Sequence, residues 1–135
     1  MSSKNLQSVK FLTAPQILAI HDRMNKRCGG SGGVRDLSLI ESAVGRPMVT
    51  FDGCDLYPTL YDMASALFSS VLKNHAFVDG NKRTALVSAG LFLKMNGINL
   101  INYHAEEVEF VVKEAGGHDS IKEVSVWFKK HSGKI

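Results

Sequence analysis

His75-Ala76-Phe77-Val78-Asp79-Gly80-Asn81-Lys82-Arg83 lies where two helical stretches of different character meet. Upstream, from about Pro58 to Lys73, the residues Leu60, Met63, Ala64, Leu67 and Val71 recur at helical spacing, which predicts an amphipathic helix with one face on a core. Downstream, from Asn81 to Asn96, the residues Ala85, Leu86, Val87, Ala89, Leu91, Phe92, Leu93 and Met95 surround the axis. That pattern predicts a helix buried on nearly all faces, ended by Gly97. The loop between the two is held by packing at both ends, a rigid mount for chemistry.

The residue types in that loop suit phosphate transfer. The first turn of a helix carries backbone N–H groups without intrahelical partners and a partial positive charge, and Gly80-Asn81-Lys82-Arg83 supplies that turn. Gly80 lets backbone approach an anion, Lys82 brings a mobile point charge, and Arg83 brings a planar fork able to grip two oxygens. Asp79 is a hard oxygen ligand beside this cradle, suited to Mg2+ shared with a nucleotide. His75 has an ordinary pKa near neutrality and is the natural general base for an attacking hydroxyl, while Phe77 turns inward and anchors the loop. Each residue alone has a structural explanation: a core histidine, a helix cap, a solvated charged face. Average residue usage would produce the joint string at roughly one start position in 10⁷ to 10⁸, so the combination outweighs its parts.

Working outward, Thr13-Ala14-Pro15-Gln16 has the elements of a capping box and opens a first helix with Ile17, Ile20 and Met24 on one face. Gly29-Gly30-Ser31-Gly32-Gly33 is read as a loop, because no Gly-Lys-Ser/Thr follows it and no apolar strand precedes it. Asp36 caps a short second helix with Leu37, Ile40 and Val44 inward, ended by Gly45 and Pro47. Asp52-Gly53 between Val49-Thr50-Phe51 and Cys54-Asp55-Leu56-Tyr57 is a hairpin signal, predicting a small flap before the third helix. Two later helices follow, one with Val108, Val111, Val112 and Ala115 inward, and one from about Ser120 carrying Ile121, Val124 and Phe128, with Trp127 closing the core. The expectation is an all-α fold, one domain over residues 1–135 with about six helices around a buried central helix.

Bulk properties narrow the class. With 44% apolar and 21% charged residues the chain reads as an ordinary soluble protein. The net charge of +3 is dispersed over pairs such as Lys26 and Arg27, Lys82 and Arg83, and Lys129 and Lys130. That is not the clustered footprint of direct nucleic-acid binding. Cys28 and Cys54 have no metal-ligand spacing and read as free thiols. Without an apolar leader or a run long enough to cross a bilayer, a cytoplasmic location away from membranes is expected.

The nine residues from His75 to Arg83 resemble the signature of the Fic/Doc superfamily, H-x-F-x-[DE]-G-N-G/K-R. Gly80-Asn81-Lys82-Arg83-Thr84-Ala85 is most similar to its death-on-curing (Doc) branch. Gly29-Gly30 to Arg35-Asp36, the run from Leu39 to Pro47, and Phe92-Leu93-Lys94-Met95-Asn96-Gly97 also look like Doc-family segments. The resemblance implies an all-α fold around a central helix, with His75 activating a target hydroxyl and Asp79 holding Mg2+. It also implies that Gly80, Asn81, Lys82 and Arg83 hold nucleotide phosphates, and that the flap at Val49, Thr50, Phe51, Asp52 and Gly53 aligns the target by strand addition.

Two positions depart from the adenylylating Fic pattern: Lys82 stands where those enzymes have a second glycine, and Leu86 where they have a second arginine. The Doc branch implies transfer of the γ-phosphate of ATP to a threonine of elongation factor Tu, which halts translation. No inhibitory Ser/Thr-x-x-x-Glu-Gly/Asn segment is found, so restraint by a separate Phd-like antitoxin is implied. Three alternatives stay open: a Fic-type protein adenylyltransferase, a non-catalytic module that binds nucleotide or partner, and a helix-turn-helix DNA binder. The intact His75 and Asp79 argue against the second, and the lack of a basic recognition helix against the third.

Overall fold

Helix α1 (Ala14–Cys28) begins where both halves of the capping box are in place. The Gln16 N–H donates to Thr13 Oγ1 at 3.4 Å, and the Thr13 N–H donates to Gln16 Oε1 at 2.8 Å. The computed structural model describes residues 8–28, 33–74, 76–77, 81–101, 113 and 120–134. The buried stripe of α1 runs through Ile17, His21 and Asn25, one turn apart, with the expected Ile20 and Met24 only half-buried at its border. Two polar residues thus face the core, which a reading of apolar letters alone does not find.

Asp36 caps α2 (Leu37–Gly45) as expected, its extended backbone letting Oδ1 accept from the Ser38 N–H at 3.0 Å and the Ser38 hydroxyl at 2.6 Å. Ile40 and Ala43 are buried, whereas Leu37, expected inward, is 49% exposed. A short 3-10 turn (Arg46–Met48) with buried Pro47 then leads into β1 (Thr50–Phe51) and β2 (Cys54–Asp55). These pair antiparallel with Phe51 opposite Cys54. Asp52 at φ 54 and Gly53 at φ 79 make the primed turn whose twist suits a hairpin.

Helix α3 (Leu60–Asn74) and helix α4 (Asn81–Met95) exchange the characters that their sequences suggest. Every residue from Met63 to Val71 is buried, so α3 is the enclosed helix. It packs against α2, α4, the 3-10 turn and α5 (Ser120–Lys130). Small side chains make this possible: Ser65, Ser69 and Ser70 let neighbours come close, and the Ser65 hydroxyl donates to the Ile121 carbonyl on α5 at 2.5 Å. By contrast α4 leaves Val87 38% exposed and Leu91 half-buried, although Ala85, Leu86, Ala89, Phe92 and Leu93 are in the core.

Asn96 and Gly97 (φ 88) end α4, and β3 (Ile98–Leu100) follows at once. It pairs antiparallel with β4 (Ser132–Lys134), a small sheet that periodicity does not predict. Val124 and Phe128 of α5 are fully buried and Trp127 nearly so, as expected. Of the expected helix around Val108 to Ala115 only Lys113, which is helical, is among the described residues, and Gly29 to Gly32 of the glycine loop lie outside them. Five helices occur among the described residues, none long and apolar enough to cross a membrane.

Candidate active site

Ala76 and Phe77, inside the string from His75 to Arg83, are fastened from three directions. Phe77 is fully buried, and its ring stacks on that of His21 from α1 with centroids 3.7 Å apart and planes 9° from parallel. The Ala76 carbonyl accepts the N–H groups of Arg35 at 2.6 Å and Asp36 at 3.1 Å, beside a β-bridge between Val34 and Phe77. Asn81, the first residue of α4, reaches back with its whole carboxamide. Its Oδ1 accepts the Phe77 N–H at 3.2 Å, and its Nδ2 donates to the Phe77 carbonyl at 3.0 Å. On the upstream side, Asn74 at the end of α3 donates through Nδ2 to the Leu39 carbonyl of α2 at 3.2 Å.

His75 therefore follows a residue tied to α2 and precedes two that are tied to α1, α4 and the segment before α2. His75 itself, Asp79 and Gly80 lie outside the described residues. Asn81 is half-buried, Lys82 exposed and Arg83 half-buried. The first turn of α4 holds no acidic residue, so within that turn the helix end and the two cations reinforce one another. The Arg83 Nε atom is buried and meets no hydrogen-bond partner among the described residues, and the Thr84 hydroxyl one residue on is in the same condition. The Arg83 side chain as a whole is only half-buried, so its charge is not sealed in the core with that nitrogen. Among the described residues no three of His, Cys, Asp or Glu gather as a metal site. The flap carries Val49 at 39% and Phe51 at 76% exposure, so its apolar side chains face outward.

The supports of the loop escape a sequence reading. His21 could have been found from its spacing, four residues after Ile17 on the same face. The N–H groups of Arg35 and Asp36 carry no side-chain signature.

The family model described as "Fic/DOC family" matches residues 11–93, well over half of the 135-residue chain. The chain belongs to the Fic/DOC family. That span runs from the residue before Leu12 through the flap and the loop to the last turn of α4. Among curated relatives, "Toxin Doc" of Mycolicibacterium smegmatis (strain ATCC 700084 / mc(2)155) is 45% identical over 92 residues, 67% of this chain and 71% of that protein. "Protein kinase doc" of Escherichia phage P1 is 29% identical over 117 residues, 87% of this chain and 91% of that protein. Both are Doc proteins, the branch that the Gly80 to Ala85 run resembles.

Proposed function

We propose that this Fic/DOC protein is a Doc-like toxin that transfers the γ-phosphoryl group of ATP to a hydroxyl of a target protein in the cytoplasm, by resemblance a threonine of elongation factor Tu, and so inhibits translation. The observation that carries the reading is the start of α4: no acid in its first turn, with an exposed Lys82 and a half-buried Arg83, directly after the strapped motif loop. Phosphoryl transfer asks a protein mainly to position groups and neutralise charge.

In the proposed step His75 takes the proton of the target hydroxyl as its oxygen bonds to the γ-phosphorus. The bond from that phosphorus to the β,γ-bridging oxygen breaks, and ADP leaves. The N–H groups at Gly80 and Asn81, with Lys82 and Arg83, hold the phosphate oxygens. Asn81 does so through its backbone, because its carboxamide is engaged by Phe77. Mg2+ fits a donor set of one carboxylate, substrate oxygens and water, and Asp79 would hold it where it offsets the charge that builds on the leaving phosphate. The flap from Val49 to Gly53 receives the target by strand addition. A Phd-like antitoxin restrains the activity.

The rival is AMP transfer. Leu86, where adenylylating relatives of the resembled pattern have an arginine, is only 8% exposed and sits in the core, so that position offers no cation to a nucleotide. ATP labelled separately at the α and γ phosphates, incubated with the protein and a cell lysate, distinguishes the two. Label from the γ position on a protein, lost in His75→Ala, supports phosphoryl transfer; label from the α position supports adenylylation. Equal toxicity of wild type and His75→Ala, with no protein labelled, would move the assignment to a non-catalytic module.

A further inference from the structure

Both feet of the flap meet at one guanidinium. Arg46, in the 3-10 turn just before β1, donates from Nε to the Tyr57 hydroxyl at 2.9 Å and from Nη1 to the Ser70 hydroxyl at 3.0 Å. Its Cζ also lies 5.7 Å from the centroid of the Tyr57 ring. Tyr57 follows β2, so Arg46 and Tyr57 bracket the hairpin, and Ser70 belongs to α3. Tyr57 is 7% exposed and Ser70 3%, so these bonds form away from water. The ladder continues upward: the Val49 N–H donates to the Arg46 carbonyl at 3.2 Å, and the Leu56 N–H donates to the Val49 carbonyl at 3.0 Å.

Both partners of the guanidinium are neutral hydroxyls, an unusual use of a half-buried cation where a carboxylate pair would be the common one. Two neutral acceptors at fixed angles use the planar fork of arginine for its geometry. Ser70 lies one turn before Asn74, the residue that ties the end of α3 to α2 immediately ahead of His75. The flap and the loop that carries His75 are thus both referenced to the same enclosed helix.

We infer that Arg46 is a positioning residue that sets the flap relative to His75, and so governs productive docking of the target protein while leaving nucleotide binding alone. This rests on the reading of the flap as the target's docking edge. Arg46→Lys keeps the charge and loses the fork, and Tyr57→Phe removes only one hydroxyl. Each should raise KM for the target by about tenfold, the worth of a hydrogen bond to a charged group, with KM for ATP within about twofold of wild type. The exchange of the Leu56 amide hydrogen should accelerate by about the same tenfold factor relative to amides in the middle of α3.

A fall in thermal stability with target KM and Leu56 exchange both at wild-type values would reduce Arg46 to a packing residue and overturn the inference. So would wild-type target KM and Leu56 exchange in Arg46→Lys, because charge alone would then suffice. If wild type labels no protein from γ-labelled ATP, it is the phosphotransfer reading that fails. The Leu56 exchange still decides whether Arg46 sets the flap.

Discussion

Asn81 connects the stability of the motif loop with the chemistry proposed for it, and two substitutions separate the roles. Asn81→Ala removes both hydrogen bonds to the Phe77 backbone, at 3.2 and 3.0 Å. At about 0.5 to 1.5 kcal/mol each in a partly buried setting, the loss should be about 2 kcal/mol. For a chain of this length that corresponds to a fall in Tm of roughly 6 to 8 °C. Asn81→Asp keeps an acceptor for the Phe77 N–H and places a negative charge at the start of α4, worth about 0.3 to 1 kcal/mol, so it should lose less stability than Asn81→Ala. That same negative charge lies beside the helix start where phosphate is expected and repels it, so Asn81→Asp should bind ATP more weakly than Asn81→Ala. The orders of the two variants therefore cross. Thermal denaturation gives one order and titration with a fluorescent ATP analogue gives the other. A Tm for Asn81→Ala within 2 °C of wild type by roughly the same conversion, or one shared order in both assays, would refute the assignment.

Phe77→Ala removes a fully buried ring stacked on His21 and should cost about 3 to 5 kcal/mol, read as a lower urea midpoint. A loss under about 1 kcal/mol would mean that the ring does not anchor the loop. Gly53 has φ 79 and open space around its α-carbon, so Gly53→Val should strain the turn by about 1 to 2 kcal/mol without a clash. Tm should fall by roughly 3 to 8 °C by the same conversion, while KM for the target rises and KM for ATP does not. ATP at about a hundred times its Kd should stabilise wild type by about 2.7 kcal/mol in a thermal shift assay. Arg83→Ala should forfeit most of that shift, and a full shift in the variant would remove Arg83 from the phosphate site.

What the sequence discloses here is local chemistry. Thr13 with Gln16, Asp36, Asp52 with Gly53, and Gly97 each satisfy backbone groups within a few residues, so the starts, stops and turns they mark are found where expected. Burial is another matter, because it depends on distant partners. Ser65, Ser69 and Ser70 read as the polar face of an amphipathic helix, yet they are core residues. Ser65 is satisfied by the Ile121 carbonyl and Ser70 by Arg46, contacts 56 and 24 residues away along the chain. Conversely, the apolar Val87 is 38% exposed and Leu91 half-buried, at the border of α4 with α1 and β3 and not in the core between α4 and α3. The sheet of β3 and β4 joins Ile98–Leu100 to a Ser-Gly-Lys segment with no alternating pattern. In the site, the string from His75 to Arg83 is legible as a family signature because the chemistry proposed for it is a matter of side-chain types. Its mount is not, since the Ala76 and Phe77 backbone groups hold it.

These two observations have one physical cause. A helix start that bears Lys82 and Arg83 with no acid in its first turn is electrostatically unfavourable for α4 alone, since cations belong at the other end of a helix. A loop ahead of such a turn would gain by fraying, and in the local sequence only Asp79, by its charge, and Asn81, by its carboxamide, oppose that. The rest of the opposition comes from the ring of Phe77 against His21 and from the N–H groups of Arg35 and Asp36, all directed at the two residues in the middle of the loop. Fastening that comes mostly from distant positions is therefore what the anion site proposed at this helix end demands, and His21, Arg35 and Asp36 are positions that no pattern local to the loop would select.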